Sequence, residues 1–329
     1  MTSPQVICAG EMLFDRLSNQ PGKPLEQVES WTDYPGGAPA NTACALVKLG
    51  IPTAFIGCIG QDQPGDILVE LLKDVGVDGT GVQRHGTAPT RIVYVVRDAS
   101  GDRSFAGFGD IDTTEFADTR LQGDHLPTEL FKEAKFLVLG TLELAYPDSK
   151  AAINQAVKLA QQHQVSIFID VNWRPVFWND AKIAIEIIQD FIQQADFLKL
   201  TDEEGEFLFG TADPKAIAQR LDKVKGVLVT AGERGCAYYL GGNEGKLPAF
   251  SVAVQDTTGA GDGFTGGIIY QLCHRDRSSL SDPTVAKDVV TYASAVGALT
   301  TLKPGAIAAQ PTLAEVEAFL SGVAQKRNE

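Results

Sequence analysis

Six short apolar runs, spaced by segments of helical length, set the tightest limit on how this chain can fold. Residues 6–8, 53–59, 136–139, 166–169, 197–200 and 227–229 are too short for buried helices and read as strands, whereas 149–160 and 181–192 carry helix-length patterns between them. Near-continuous apolar strands alternating with helices predict an α/β fold, a sheet covered by helices on both faces. Ala40, Ala43, Cys44 and Val47 mark one face of a further helix, which Gly50 is placed to stop. Residues 90–96 and 103–108 flank the polar stretch 98–102 and read as a hairpin, and 241–245 reads as a turn.

The 329 residues are 44% hydrophobic, enough to bury roughly three quarters of the extended surface. A formal charge of −14 argues against a broad nucleic-acid footprint, so an anionic ligand must be received locally, by backbone donors, a few basic groups or a divalent cation. No apolar run reaches the roughly 20 residues of a membrane span, and Met1 to Pro4 leads into the first strand without a basic leader. A soluble, cytoplasmic protein is expected, without membrane association. Cys8, Cys44, Cys58, Cys236 and Cys273 show neither a disulfide framework nor metal-ligand spacing, and His85, His125, His163 and His274 are scattered.

The segment most informative about chemistry is Asp256-Thr257-Thr258-Gly259-Ala260-Gly261-Asp262-Gly263-Phe264. Phe264, Ile268 and Leu272 repeat every four residues beyond it, which places a helix start near residues 259–262. Small residues there let successive N–H groups approach an anion at the positive end of a helix, and Asp262 can take the proton of a hydroxyl attacking phosphorus. A helix cap with Asp262 serving first-turn donors would use the same residues.

Other polar clusters follow strands. Asp15 and Gly36-Gly37-Ala38-Pro39-Ala40-Asn41 offer carboxylate and amide groups suited to sugar hydroxyls, or a turn and a helix cap. Asn172 can bind a hydroxyl and Arg174 a phosphate or sugar oxygen, unless Arg174 pairs with a surface acid. Glu204 can accept from water around a nucleotide-bound magnesium ion or stand as a solvated helix-start carboxylate. Thr230, Gly232 and Gly235 can line a nucleotide cleft or form a tight connection.

Taken in this order, the Gly36–Asn41 segment, Asp170-Val171-Asn172-Trp173-Arg174 and the Asp256–Asp262 segment resemble the ribokinase-like (pfkB) carbohydrate kinases, most closely the fructokinase branch. The resemblance extends from Val6 to about Gln310. It implies a three-layer α/β/α nucleotide domain of residues 1–12, 35–89 and 109–329 and a small discontinuous β-sheet lid of residues 13–34 and 90–108. It implies that Asp15, Gly36, Gly37, Asn41 and Arg174 bind the sugar, that Gly259, Ala260 and Gly261 form the anion hole, and that Asp262 is the base. Thr230, Gly232, Gly235, Asn172 and Glu204 fall on the nucleotide side, with Glu204 reaching magnesium through water; Thr201 stands where the family's motif has Asn.

The same resemblance points to Mg-ATP and fructose as ligands and to transfer of the γ-phosphate to the fructose 6-hydroxyl. It also allows a potassium ion at Asp256, Thr258, Thr300, Lys303 and Gly305, and a homodimer through the lid. Kinases for 2-keto-3-deoxygluconate, ribose or a nucleoside are the alternative enzymes. An interaction protein retaining the fold is the non-enzymatic alternative.

Overall fold

The computed structural model describes residues 3–98, 103–178 and 180–328. Residues 99–102 of the expected polar turn lie outside them. In chain order the elements are β1 (Val6–Ala9), β2 (Leu13–Ser18), β3 (Trp31–Gly36), α1 (Ala38–Lys48), β4 (Thr53–Gly60), α2 (Gln63–Val75), β5 (Asp78–His85), β6 (Ile92–Arg97), β7 (Arg103–Gly107), β8 (Phe136–Leu139) and α3 (Pro147–Gln162). There follow β9 (Ser166–Asp170), α4 (Ala181–Ile192), β10 (Phe197–Thr201), α5 (Asp202–Phe209), α6 (Pro214–Ala218), β11 (Gly226–Thr230), β12 (Cys236–Leu240), β13 (Asn243–Leu247), α7 (Ala260–Cys273), α8 (Pro283–Thr300) and α9 (Leu313–Asn328).

Nine strands form one sheet in the order β13-β12-β11-β10-β9-β8-β1-β4-β5, parallel from β11 to β5 and antiparallel at β12 and β13. Side chains alternate across it. Ile7, Ile56, Leu137, Ile167 and Leu198 pack against α3 and α4, while Val6, Cys8, Phe55, Val138, Phe168 and Phe197 pack against α1, α7 and α8. Burial on both faces explains why these strands are apolar throughout. The β12–β13 pair turns at Gly241 and Gly242, and Gly245 lies inside β13 rather than in the turn. No described helix is long and apolar enough to cross a membrane.

The chain steps from β1 outward to β4 and β5, then returns to place β8 on the other side of β1. Open α/β sheets bind ligands outside the carboxyl ends of the strands at such a reversal. A second sheet, β3-β2-β6-β7, stands beside that edge, with β6 and β7 antiparallel as the hairpin reading expects.

Where β6 enters the second sheet, the joint between the sheets is polar, and its side chains are bonded. Asp62 caps α2 through Gly65 N and also accepts from the amide and hydroxyl of Thr90 at 2.7 and 2.6 Å. Arg91 follows, buried among Phe108, Phe116, Tyr146 and Phe177, with Nε and Nη2 on the two Asp118 oxygens at 2.6 and 2.7 Å. Its carbonyl accepts from Phe14 of β2, so one residue ties the start of β6 to the neighbouring strand. Removing one member of a buried ion pair strands the other charge. Asp118→Ala is therefore expected to cost about 3–5 kcal/mol in chemical denaturation; a loss below about 1 kcal/mol, the range of an exposed pair, would show that the joint does not depend on it.

Candidate active site

The carboxyl ends of β9, β10 and β11 and the N-terminus of α7 open on a single cleft of about 1370 Å³, closed on its far side by Asp15, Val93, Val95 and Phe105 of the second sheet. One small ligand needs roughly 300–1,000 Å³, so this space admits two.

Helix α7 begins where the sequence places it. Gly259 adopts φ +77°, and a Cβ there would stand 2.8 Å from the Ala306 Cβ, so both the turn and the packing demand glycine. Ala260 and Gly261 start the helix and line the cleft; Ala260 N donates to the Thr257 carbonyl at 3.2 Å, which leaves the amides of Gly261 and Asp262 as the first-turn donors without intrahelical acceptors.

Beneath them lies a charged residue that the motifs do not mark. Lys199 of β10 pairs with Asp170 of β9, its cross-strand neighbour, at 3.0 and 3.1 Å, and both are about 95% buried. Thr265 Oγ1 on the second turn of α7 donates to the same Asp170 at 2.9 Å. A Cβ on Gly261 would come 3.0 Å from Lys199 Nζ, which places the ammonium directly against the glycine helix start. Burial works against its charge, but Asp170, followed by Glu204, outweighs it and raises its pKa. The signal was present in the sequence as a lysine inside the otherwise apolar run Phe-Leu-Lys-Leu, since a buried lysine requires a counter-ion.

Asp262 occupies the first turn of α7 and accepts a 2.8 Å hydrogen bond from Asn41 Nδ2 on α1. Burial, followed by the charge of Asp170, pushes its carboxyl up to about 6, while Asn41, Lys199 and Arg174 hold it down. It is thus ionised at neutral pH yet basic enough to accept a proton.

Most of the other expected residues share this cleft. Gly37, Asn41, Asp15, Asn172 and Arg174 lie on the wall toward the second sheet, and Thr230, Gly232 and Gly235 on the wall beyond β11. Gly37 has φ +104°, and a side chain on it would run into the Glu11 carbonyl. Gly36 is the exception: it closes β3 opposite Leu13, buried beside Asp15 and off the cleft wall. Arg174 is exposed and donates to the Trp173 carbonyl at 3.0 Å, with no acidic side chain bonded to it among the described residues.

Glu204 lines the cleft but is not a solvated helix-start group. It is buried, with its oxygens accepting from Trp173 N and Thr201 N, both at 2.7 Å, while Thr201 Oγ1 caps α5 through Glu204 N. Each carboxylate oxygen keeps a lone pair, so the group fits a magnesium ion through water better than as a direct ligand.

Asp256 organises the loop behind Gly259. It accepts from Thr258 N and Oγ1 and from Gly305 N at 2.9 Å, which draws Asp256, Thr258 and Gly305 together. Thr300 is buried nearby with its hydroxyl bonded to Val296 O, and the Lys303 ammonium points away to Glu315, so any cation held here by Thr300 and Lys303 would use their carbonyls.

Residues 3–313 match the model of the pfkB family carbohydrate kinases. The chain is 36% identical to fructokinase-1 of Zea mays over 314 residues, spanning 94% of this chain and 96% of the relative. Among solved structures, a fructokinase with bound ATP from Xylella fastidiosa superposes with TM-score 0.87 at 29% identity, covering 98% of this chain and 99% of that one. A fructokinase of Vibrio cholerae in a form binding fructose, ADP and a potassium ion gives TM-score 0.82 at 27% identity, covering 97% and 100%.

The Asn41 contact can be tested without any substrate. Its amide donor stabilises the charged form of Asp262, so Asn41→Ala should move the Asp262 titration, followed by carbon-13 NMR, upward from about 6. An unchanged or lower midpoint would mean that this bond does not hold the charge.

Proposed function

Because the chain belongs to the pfkB family of carbohydrate kinases, in its fructokinase branch, we propose that it transfers the γ-phosphoryl group of ATP to the 6-hydroxyl of D-fructose, releasing ADP and fructose 6-phosphate. The chain is an ATP-dependent carbohydrate kinase that phosphorylates a sugar hydroxyl. The observation that carries the finer reading is the meeting of Asp262 with Asn41 at 2.8 Å, which joins the glycine helix start to the loop assigned to the sugar.

In this reading the sugar lies against Asp15, Gly37, Asn41 and Arg174, and the nucleotide against Thr230, Gly232 and Gly235, so that the two meet over Gly259, Ala260 and Gly261. Asp262 orients the primary hydroxyl and accepts its proton as the oxygen attacks phosphorus. The first-turn amides of α7 and the Lys199 ammonium offset the charge on the transferred group, in place before reaction and therefore requiring no reorganisation. Magnesium arrives with ATP and neutralises the phosphates; Glu204 is positioned to hold one of its waters. Val93, Val95 and Phe105 cover the sugar side with apolar surface that limits water as an alternative acceptor.

The Vibrio cholerae relative's fructose and potassium support two finer assignments. Fructose is the acceptor, and the Asp256 loop, which Thr258 N and Gly305 N draw together, would hold a potassium ion behind the anion hole with the carbonyls of Thr300, Lys303 and Gly305 as further ligands.

The expected selectivity is at least about 10-fold in kcat/KM for fructose over ribose, glucose, adenosine or 2-keto-3-deoxygluconate at saturating Mg-ATP, because a site built to pair several hydroxyls penalises any left unmatched. A different acceptor winning by that margin would overturn fructose and leave the kinase standing. Asp262→Asn should lower turnover about 100-fold or more, with the fold intact by circular dichroism. In the native enzyme, turnover should rise with pH through about 6 as the carboxylate forms; near-native turnover in the variant would remove Asp262 from the role of base.

A further inference from the structure

Two carboxyl groups that the reaction does not use are buried together at the strand reversal. Glu11 follows β1 and is 3% exposed; Glu143 lies on the turn after β8, the strand paired to β1, and is 1% exposed. Glu11 Oε1 accepts from Ala38 N at 2.8 Å. That amide opens α1, whose N-cap Gly37 has no side chain to serve it, so Glu11 caps the helix from a distant part of the chain. The capped turn carries Gly37 and Asn41, both assigned above to the sugar.

The remaining oxygens have no such donor. Glu11 Oε2 and both oxygens of Glu143 are buried without a bonded N–H or O–H. Glu143 packs against Gly10, where a Cβ would stand 3.1 and 3.2 Å from its two oxygens and would also strike Pro39 of α1. The nearest further charge is Asp118, which is held by Arg91 and adds repulsion rather than a proton. Two adjacent carboxylates in such a place cannot both be charged, and among the described residues the group that can satisfy Glu11 Oε2 is a protonated Glu143.

The geometry points to a shared proton between Glu143 and Glu11 that positions the sugar-binding turn: the Glu143 carboxyl donates to Glu11 Oε2, and Glu11, kept singly charged, holds Ala38 N and the start of α1. Glu143 is a positioning residue, buried behind the cleft wall; Glu11 lines the cleft beside Gly37 and Asn41 and acts on the turn through its bond to Ala38 N. The direction of each titration agrees. Burial pushes Glu11 up to about 7, and burial followed by the Glu11 charge raises Glu143 further. The folded pair thus keeps protons that free glutamates release near 4.5: Glu11 gives up its own near 7, while the shared proton stays on Glu143 to higher pH, so its contribution to stability is full below about 4.5 and is lost only as pH rises through the Glu143 titration. When the proton leaves to solvent, two charges face each other behind α1 and the turn loses its fixed position.

The inference rests on the proposal that the Gly37–Asn41 turn binds the sugar, and the experiment separates the two. Glu143→Gln supplies a donor that does not titrate, and Glu143→Leu supplies none. With the sugar that the enzyme turns over best, the native KM for sugar should rise above neutral pH while the KM for ATP stays level. In Glu143→Gln the sugar KM should lose this pH dependence and stay near the native low-pH value, whereas Glu143→Leu should raise it at least about 10-fold at every pH with kcat much less affected. Difference infrared spectra at pH 7, taken without sugar, should show the carbonyl stretch of a protonated carboxylic acid in the native protein and its loss in Glu143→Gln. A missing acid band overturns the shared proton whatever the kinetics. An acid band present with a sugar KM indifferent to pH and to both variants keeps the proton but overturns the positioning role, and with it the assignment of the turn to the sugar comes into question. Equal behaviour of the Gln and Leu variants also overturns the proposal.

Discussion

The ion pair of Lys199 with Asp170 is the contact around which the rest of the cleft is arranged. A charged pair inside a parallel sheet costs desolvation on both sides and adds little net stability compared with an apolar pair of similar volume. Its value here is positional. Asp170 also accepts from Thr265, which fixes α7 over the ends of β9 and β10, and Lys199 then places a positive charge against the helix start whose backbone amides line the cleft. A chain with formal charge −14 thereby offers a localised positive site without a basic surface.

The same helix brings together residues from opposite ends of the sequence. Asn41 and Asp262 lie 221 positions apart and meet at 2.8 Å because α1 and α7 cover the same face of the sheet. The carboxyl of Asp262 is poised by opposing influences, with burial and Asp170 raising it and Asn41, Lys199 and Arg174 lowering it. The outcome near 6 is a balance that no single residue sets, which is how a first-turn aspartate can be both ionised and a competent base.

Legibility in the sequence followed burial. The interior strands of the parallel region are continuous apolar runs, and the α4 range matches residue for residue. Strands β5 and β13, Asp-Gly-Thr-Gly-Val-Gln-Arg-His and Asn-Glu-Gly-Lys-Leu, have no such signature because they lie at the two sheet edges and take their register from a neighbour. Residues of the site that sit at glycine-rich turns were readable because turn chemistry and anion chemistry call for the same small residues. Lys199 left a trace as a lysine in an apolar run, but its partner, like those of Glu11 and Glu143, was not readable, because these contacts are cross-strand or between distant segments and sequence separation conceals them. Gly36 was assigned to the sugar by its neighbours in the motif, yet strand pairing turns it away from the cleft.

The central claim is that one cleft aligns a sugar hydroxyl, Asp262 and a phosphoryl group over the start of α7. Its most direct test is a crystal structure with fructose and a non-hydrolysable ATP analogue with magnesium. The account predicts the fructose 6-hydroxyl at roughly 2.6–3.2 Å from an Asp262 oxygen and roughly 3–3.5 Å from the terminal phosphorus, with the phosphate facing the amides of Gly261 and Asp262 and the Lys199 ammonium. A terminal phosphate bound away from α7, or a sugar whose 6-hydroxyl lies out of reach of Asp262 in a closed complex, would contradict it.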